Sequence, residues 1–121
     1  MLVLGIALAG ALGAPARYFV DIVVIERTEG GLPLGTFLIN VTGSFLLGLL
    51  TGLALYHAFP ATPRAIIGTG FCGAYTTFST FAYEIMRLAE TGARRAAVRV
   101  LIASLVVPAL AAALGLALAS L

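Results

Sequence analysis

Four apolar runs, near residues 2–24, 34–57, 64–88 and 97–120, take up nearly all of this 121-residue chain. About 20 such residues cross ~30 Å of hydrocarbon, so each run is long enough to span a bilayer. The scarcity of charge agrees. Charged residues make up 10% of the sequence and hydrophobic ones 61%, whereas a soluble domain is roughly a quarter charged. Too little polar surface remains to face water. The predicted fold class is therefore an all-α membrane protein, with one four-helix transmembrane domain over residues 1–121. The connections ERTEGGLP (26–33), HAFPATPR (57–64) and RLAETGARR (87–95) hold most of the charge. The first run has neither the basic leader nor the cleavage site of a secretory signal, and it reads as a span.

Polar residues inside such spans are costly unless they find partners, so their pattern is informative. In the second span Thr36, Asn40, Ser44, Gly48 and Gly52 recur every four residues as a polar and small stripe. Gly48 and Gly52 form a GxxxG pair that permits close backbone approach. Asn40 has two readings, a pore-lining donor or an interhelical hydrogen bond. In the first span Gly10, Gly13, Ala14, Arg17 and Asp21 share one face. Arg17 either snorkels to the headgroups or faces a water-filled vestibule, paired with Asp21, where its charge would concentrate anions.

The third span contains GFCGAYTTFSTF (70–81), a poor helix by propensity because glycine, β-branched and aromatic residues crowd it. Non-helical backbone at membrane depth survives only where protein buries it or it lines a cavity. The glycines predict a helix break near 73–77 flanked by two half-helices. Beyond the break, Thr77, Thr80, Phe81 and Glu84 fall on one face, with Phe78 close by. Aromatic ring edges are partially positive and would meet an anion without gripping it. Glu84 is otherwise expected to pair with Arg87. Cys72, the only cysteine, reads as a small buried thiol, and His57 reads as interfacial. No Ser/His/Asp, paired-carboxylate, metal or phosphate-loop pattern appears, which argues against an enzyme. Nothing points to a nucleic-acid partner.

These residues carry a likeness. GFCGAYTTFSTF resembles the third-helix signature of the Fluc (CrcB) fluoride channels, in its G-x-x-G-x-x-T-T-F-S-T-F form. GALGAPARY (10–18) resembles that family's first-helix segment, and GTFLINVTGSF (35–45) its second. The resemblance implies a passive, fluoride-specific ion channel in the cell membrane. It further implies an antiparallel, dual-topology homodimer embedded in membrane lipid. The implied pathway comprises Phe78, Phe81, Asn40, Thr36, Thr77, Ser79, Thr80, Glu84, Arg17 and, from the fourth helix, Ser104. It also implies a structural sodium ion (Na+) at the dimer centre, on the backbone carbonyls of Gly73 and Thr76. Two departures stand out: Ala74 where many relatives have glycine, and a fourth span with little polarity beyond Ser104 and a proline, Pro108, expected to kink it. The runner-up is a small multidrug-resistance-type exporter, but that chemistry needs a carboxylate deep in the first span, where this chain has Arg17. A third reading, a non-transporting membrane subunit, would leave Asn40, Thr77 and Thr80 as helix glue.

Orientation divides the two lines of reasoning. Arg17, Arg27, Arg87, Arg94, Arg95 and Arg99 belong to one side and Arg64 to the other. The positive-inside rule alone would place both termini outside. The resemblance implies insertion in both orientations.

Overall fold

The computed structural model describes all of residues 1–121 and is entirely helical. Helix α1 runs over Leu2–Arg27 and α2 over Leu34–Tyr56. The third crossing is composite. Helix α3 (Ala61–Ala65) passes into a π-helical stretch, Ile66–Cys72, then a single α-turn, α4 (Gly73–Tyr75). After three non-helical residues, 76–78, α5 (Ser79–Glu90) completes the crossing. Helix α6 (Arg94–Leu118) returns through the membrane. α1, α2 and α6 are each long and apolar enough to span by themselves, and the bent segment makes the fourth crossing. The protein is thus a multi-pass membrane protein.

The crossings pack in two tight pairs, α2 on α6 and α1 on the π-helical stretch and α4. In lipid the hydrophobic effect cannot drive helices together, so close backbone approach must. The glycines supply it. A Cβ on Gly48 would overlap the carbonyl oxygen of Ala112, and one on Gly115 would overlap that of Phe45. Gly52 faces Leu116 and Ala119. The GxxxG of α2 is therefore the α6 seam. On the other pair, Gly13 lies against the Phe71 carbonyl, and Gly70 against that of Ile6.

The helix ends are tied locally. α5 closes with Gly92 at φ 86°, while the Gly92 amide donates to Ala89 at 3.2 Å and the Ala93 amide to Leu88 at 2.9 Å. This is a Schellman cap, which needs the left-handed conformation that glycine adopts without steric cost. At the opposite end of the bundle, His57 Nε2 meets the Ala119 carbonyl at 2.8 Å and ties α2 to the end of α6.

α6 continues through Pro108. Proline lacks an amide hydrogen, so the Ser104 carbonyl loses the donor that a helix normally gives it. α6 therefore runs on past Pro108 as one helix with one freed acceptor. Only 15 of 121 residues are buried. The remaining faces of the subunit must be covered by lipid or by another protein surface.

Candidate functional site

The interruption at 76–78 lies slightly beyond the glycines and has a cause outside its own segment. Gly73 is still helical, with φ −62° and ψ −34°, whereas Thr76 is extended, with φ −75° and ψ 159°. In a continuous helix the Thr77 amide would donate to the Gly73 carbonyl. Here it donates to Asn40 Oδ1 at 2.9 Å, while Asn40 Nδ2 donates to the Thr77 carbonyl at 2.8 Å. The Asn40 carboxamide thus stands in for the missing helix partners of Thr77. One Nδ2–H remains unspent, since the group has two.

The break is supported on two further sides. Arg17 Nη1 donates to the Thr76 carbonyl at 3.4 Å. α1 extends to Arg27, so Arg17 lies ~15 Å inside the C-terminal end of that helix at 1.5 Å per residue. It serves the break and not the headgroups. The expected pairing with Asp21 is not made, because the Asp21 carboxylate packs against Gly35 in the first turn of α2. On the remaining side, Gly43 leaves room for the Thr76 methyl and the Tyr75 ring. The Tyr75 hydroxyl lies 3.0 Å from that of Thr42.

Two cavities flank the break. The smaller, about 250 Å³, is lined by the polar groups of Asn40, Ser44, Thr76, Thr77 and Ser104 and by the rings of Phe78 and Phe81. The ring centroids are 5.7 Å apart and tilted by 60°, a geometry that presents an edge to a face. Phe81 is buried at 7% exposure, whereas Phe78 is 74% exposed. The larger cavity, about 510 Å³, opens at the end of α1 and includes Asp21, Thr80, Tyr83, Glu84 and Arg87.

Hydroxyls connect the two. Thr77 lines the small cavity and Thr80 the large one, and Thr77 Oγ1 donates to Thr80 Oγ1 at 3.1 Å. The Thr80 amide in turn donates to Thr77 Oγ1 at 3.3 Å. Deeper in the wall, Thr36 Oγ1 donates to Glu84 Oε1 at 3.1 Å, and Glu84 Oε2 is buried without a hydrogen-bond partner. The expected Glu84–Arg87 ion pair is replaced by this contact with the buried Thr36. A small anion moving along such a path would find hydroxyl and amide donors and ring edges in place of water. No fixed cation lines the small cavity to trap it.

The structure therefore brings together Asn40, Thr77, Phe78, Phe81 and Ser104 at one cavity and Thr80 and Glu84 at the next, with Thr36 touching Glu84. Arg17 and Gly73 line neither. Ser79 is exposed and only approaches Thr77 Oγ1, at 3.4 Å. Ser44 was missed as a site residue although it lies one turn from Asn40 on the same stripe, which was the available signal. Pro108, Leu47 and Leu105 complete the small cavity; Pro108 stands out in the sequence only as a proline within a span, and nothing marks Leu47 or Leu105.

The fold and site define a multi-pass helical membrane protein with a hydroxyl-lined track through a broken crossing. The family follows from comparison: residues 4–116 match the family described as "CrcB-like protein, Camphor Resistance (CrcB)", and the chain belongs to that family. It is 51% identical over 121 residues to "Fluoride-specific ion channel FluC 1" of Leifsonia xyli subsp. xyli, covering all of this chain and 88% of the relative. It is 50% identical over 114 residues to "Fluoride-specific ion channel FluC" of Acidobacterium capsulatum, covering 93% and 91% respectively. With "Fluoride-specific ion channel FluC 2" of Cutibacterium acnes it shares 46% identity over 121 residues, covering 99% and 98%.

Proposed function

We propose that this protein is a fluoride channel that lets the ion leave the cell passively, down its gradient. The observation that carries the reading is the Thr77–Thr80 hydroxyl link, which joins the Asn40–Phe78–Phe81 cavity to the Glu84 cavity through the break. The names of the relatives agree with it. Fluoride is small and strongly hydrated, so a path for it must replace water with many weak donors. Export of this kind lowers cytoplasmic fluoride, which otherwise accumulates as HF enters and dissociates.

The functional unit we propose is an antiparallel homodimer, inserted in both orientations. A single subunit leaves Phe78 at 74% exposure beside a cavity lined with hydroxyls. Facing lipid, those polar groups would lack partners, and a second copy would cover them. Arg17, engaged with Thr76 at depth, does not count as a loop charge, which narrows the arginine bias that two-way insertion must overcome from six against one to five against one.

A structural sodium ion on the Gly73 and Thr76 carbonyls forms part of the same proposal. The residues fit it chemically. Asn40 has taken the amide that would cap the Gly73 carbonyl, and the Thr76 carbonyl has only the long contact from Arg17. Such oxygens suit a hard cation, and two subunits would supply four. Gly73→Pro should abolish folded dimer, since it removes an amide donor and disfavours helical Cys72. Thr76→Ser, which keeps the carbonyl, should leave dimer yield on size-exclusion near wild type. Loss of dimer in the serine variant would count against carbonyl ligation.

The test of function is fluoride efflux from liposomes containing the purified protein alone, read with a fluoride electrode. Phe78→Ile and Phe81→Ile should each cut efflux by on the order of tenfold or more. That is what ~1.4 kcal/mol of lost ring-edge stabilisation at the barrier produces. Phe78 is the sharper probe, because so exposed a ring contributes little to subunit packing. Wild-type flux in Phe78→Ile would defeat the assignment.

A further inference from the structure

Where α6 begins, Arg94, Arg95 and Arg99 border a shallow cavity of about 380 Å³ whose only apolar wall is Val98. All three are exposed. Arg17 is the only arginine whose guanidinium donates a hydrogen bond within the chain, so these three have no protein partner. Glu90, the nearest carboxylate in sequence, is exposed and does not line the cavity. Three unpaired guanidiniums at one point repel each other unless an anion sits between them, and their forked donors match phosphate geometry.

The cavity does not end in water. From Val98 (53% exposed) an apolar strip continues through Ile102 (56%) and Leu105 (56%). Steps of four and three residues keep these side chains on one helix face. A cationic pocket that runs into an apolar strip on a membrane-crossing helix has the outline of a phospholipid. A free phosphate would use the arginines and ignore the strip.

We propose that this end of α6 binds an anionic phospholipid. Arg94, Arg95 and Arg99 hold its headgroup phosphate, and an acyl chain lies along Val98, Ile102 and Leu105. The headgroup pocket shares no residue with either cavity at the break. The apolar strip meets the smaller cavity only at its far end, Leu105, and the site does not depend on what ion the protein conducts. A second copy of this chain is a poor rival occupant, because with net charge +2 and only five carboxylates it offers no concentrated anionic surface.

The experiment uses the full-length protein purified in a neutral detergent. Phosphatidylglycerol, phosphatidylcholine or inorganic phosphate is titrated in, bound lipid is counted by native mass spectrometry, and the thermal unfolding midpoint is followed in parallel. Phosphatidylglycerol should bind and raise the midpoint, and the other two should not. Each single Arg→Gln change at 94, 95 or 99 should weaken phosphatidylglycerol binding roughly fivefold, the factor that ~1 kcal/mol per basic residue corresponds to. Arg64→Gln, at the opposite end of the bundle, should leave it unchanged. Equal stabilisation by inorganic phosphate would mean a bare anion site and overturn the proposal. So would retention of the lipid preference in the triple variant, or an Arg64→Gln effect as large as that of Arg99→Gln. If the triple variant fails to fold, the comparison of Arg99→Gln with Arg64→Gln decides.

Discussion

Asn40→Asp should abolish fluoride efflux in the liposome assay while leaving the protein folded. The substitution is nearly isosteric and keeps an oxygen to accept the Thr77 amide, the 2.9 Å bond. It removes the Nδ2 donor of the 2.8 Å bond to the Thr77 carbonyl, and it places a negative charge in the wall of the cavity. Two like charges ~4 Å apart at an effective dielectric constant near 20 repel by about 4 kcal/mol. That corresponds to a fall in anion flux of nearly a thousandfold. The structural loss is smaller, roughly 1–3 kcal/mol for the unsatisfied carbonyl. A folded, monodisperse variant with undiminished efflux would return Asn40 to a purely structural role.

The second large effect concerns the seam between α2 and α6. Gly48→Leu should prevent recovery of folded protein altogether. The obstacle to a Cβ at this position is the carbonyl oxygen of Ala112, which belongs to a backbone and cannot rotate aside. Gly115 is pressed on the Phe45 carbonyl in the same seam, so helices pushed apart to admit a leucine would lose that close contact as well. Overpacking ordinarily costs about 1–3 kcal/mol when side chains can adjust, and a backbone obstacle pushes the cost beyond that range. Gly68→Ala provides the contrast, because its Cβ would meet only side-chain carbons at 3.5 Å and beyond. Size-exclusion profiles in mild detergent separate the two outcomes. Monodisperse Gly48→Leu would show that the GxxxG is incidental.

Much of the crossing pattern was legible. The apolar runs 2–24, 34–57 and 97–120 correspond to Leu2–Arg27, Leu34–Tyr56 and Arg94–Leu118. α1 at Arg27 and α6 at Arg94 and Arg95 overshoot into the charged flanks, because long arginine stems can reach water from within a helix. The third crossing extends on both sides of 64–88, and its irregularity was legible from glycine and β-branched content. Its exact residues and its cause were not. The break expected near 73–77 overlaps the interruption found at 76–78, yet Gly68, Gly70 and Gly73 themselves remain helical in wide or normal turns.

What the sequence determined by itself is local: where apolar length suffices to cross a bilayer, where polar residues repeat on one face, and which glycines allow helices to touch. Each depends on neighbours within a few turns, so periodicity exposes it. Only the tertiary structure decided the site. Thr77 leaves the helix because Asn40, 37 residues earlier, takes its amide and feeds its carbonyl. Glu84 turns to Thr36 across 48 residues instead of to Arg87 on its own helix. Arg17 reaches Thr76 across 59. Hydrogen bonds of this range leave no mark on local pattern. Their partners are chosen by which faces the packed glycine seams bring together, and in a medium without water every freed backbone group must take the partner that packing offers.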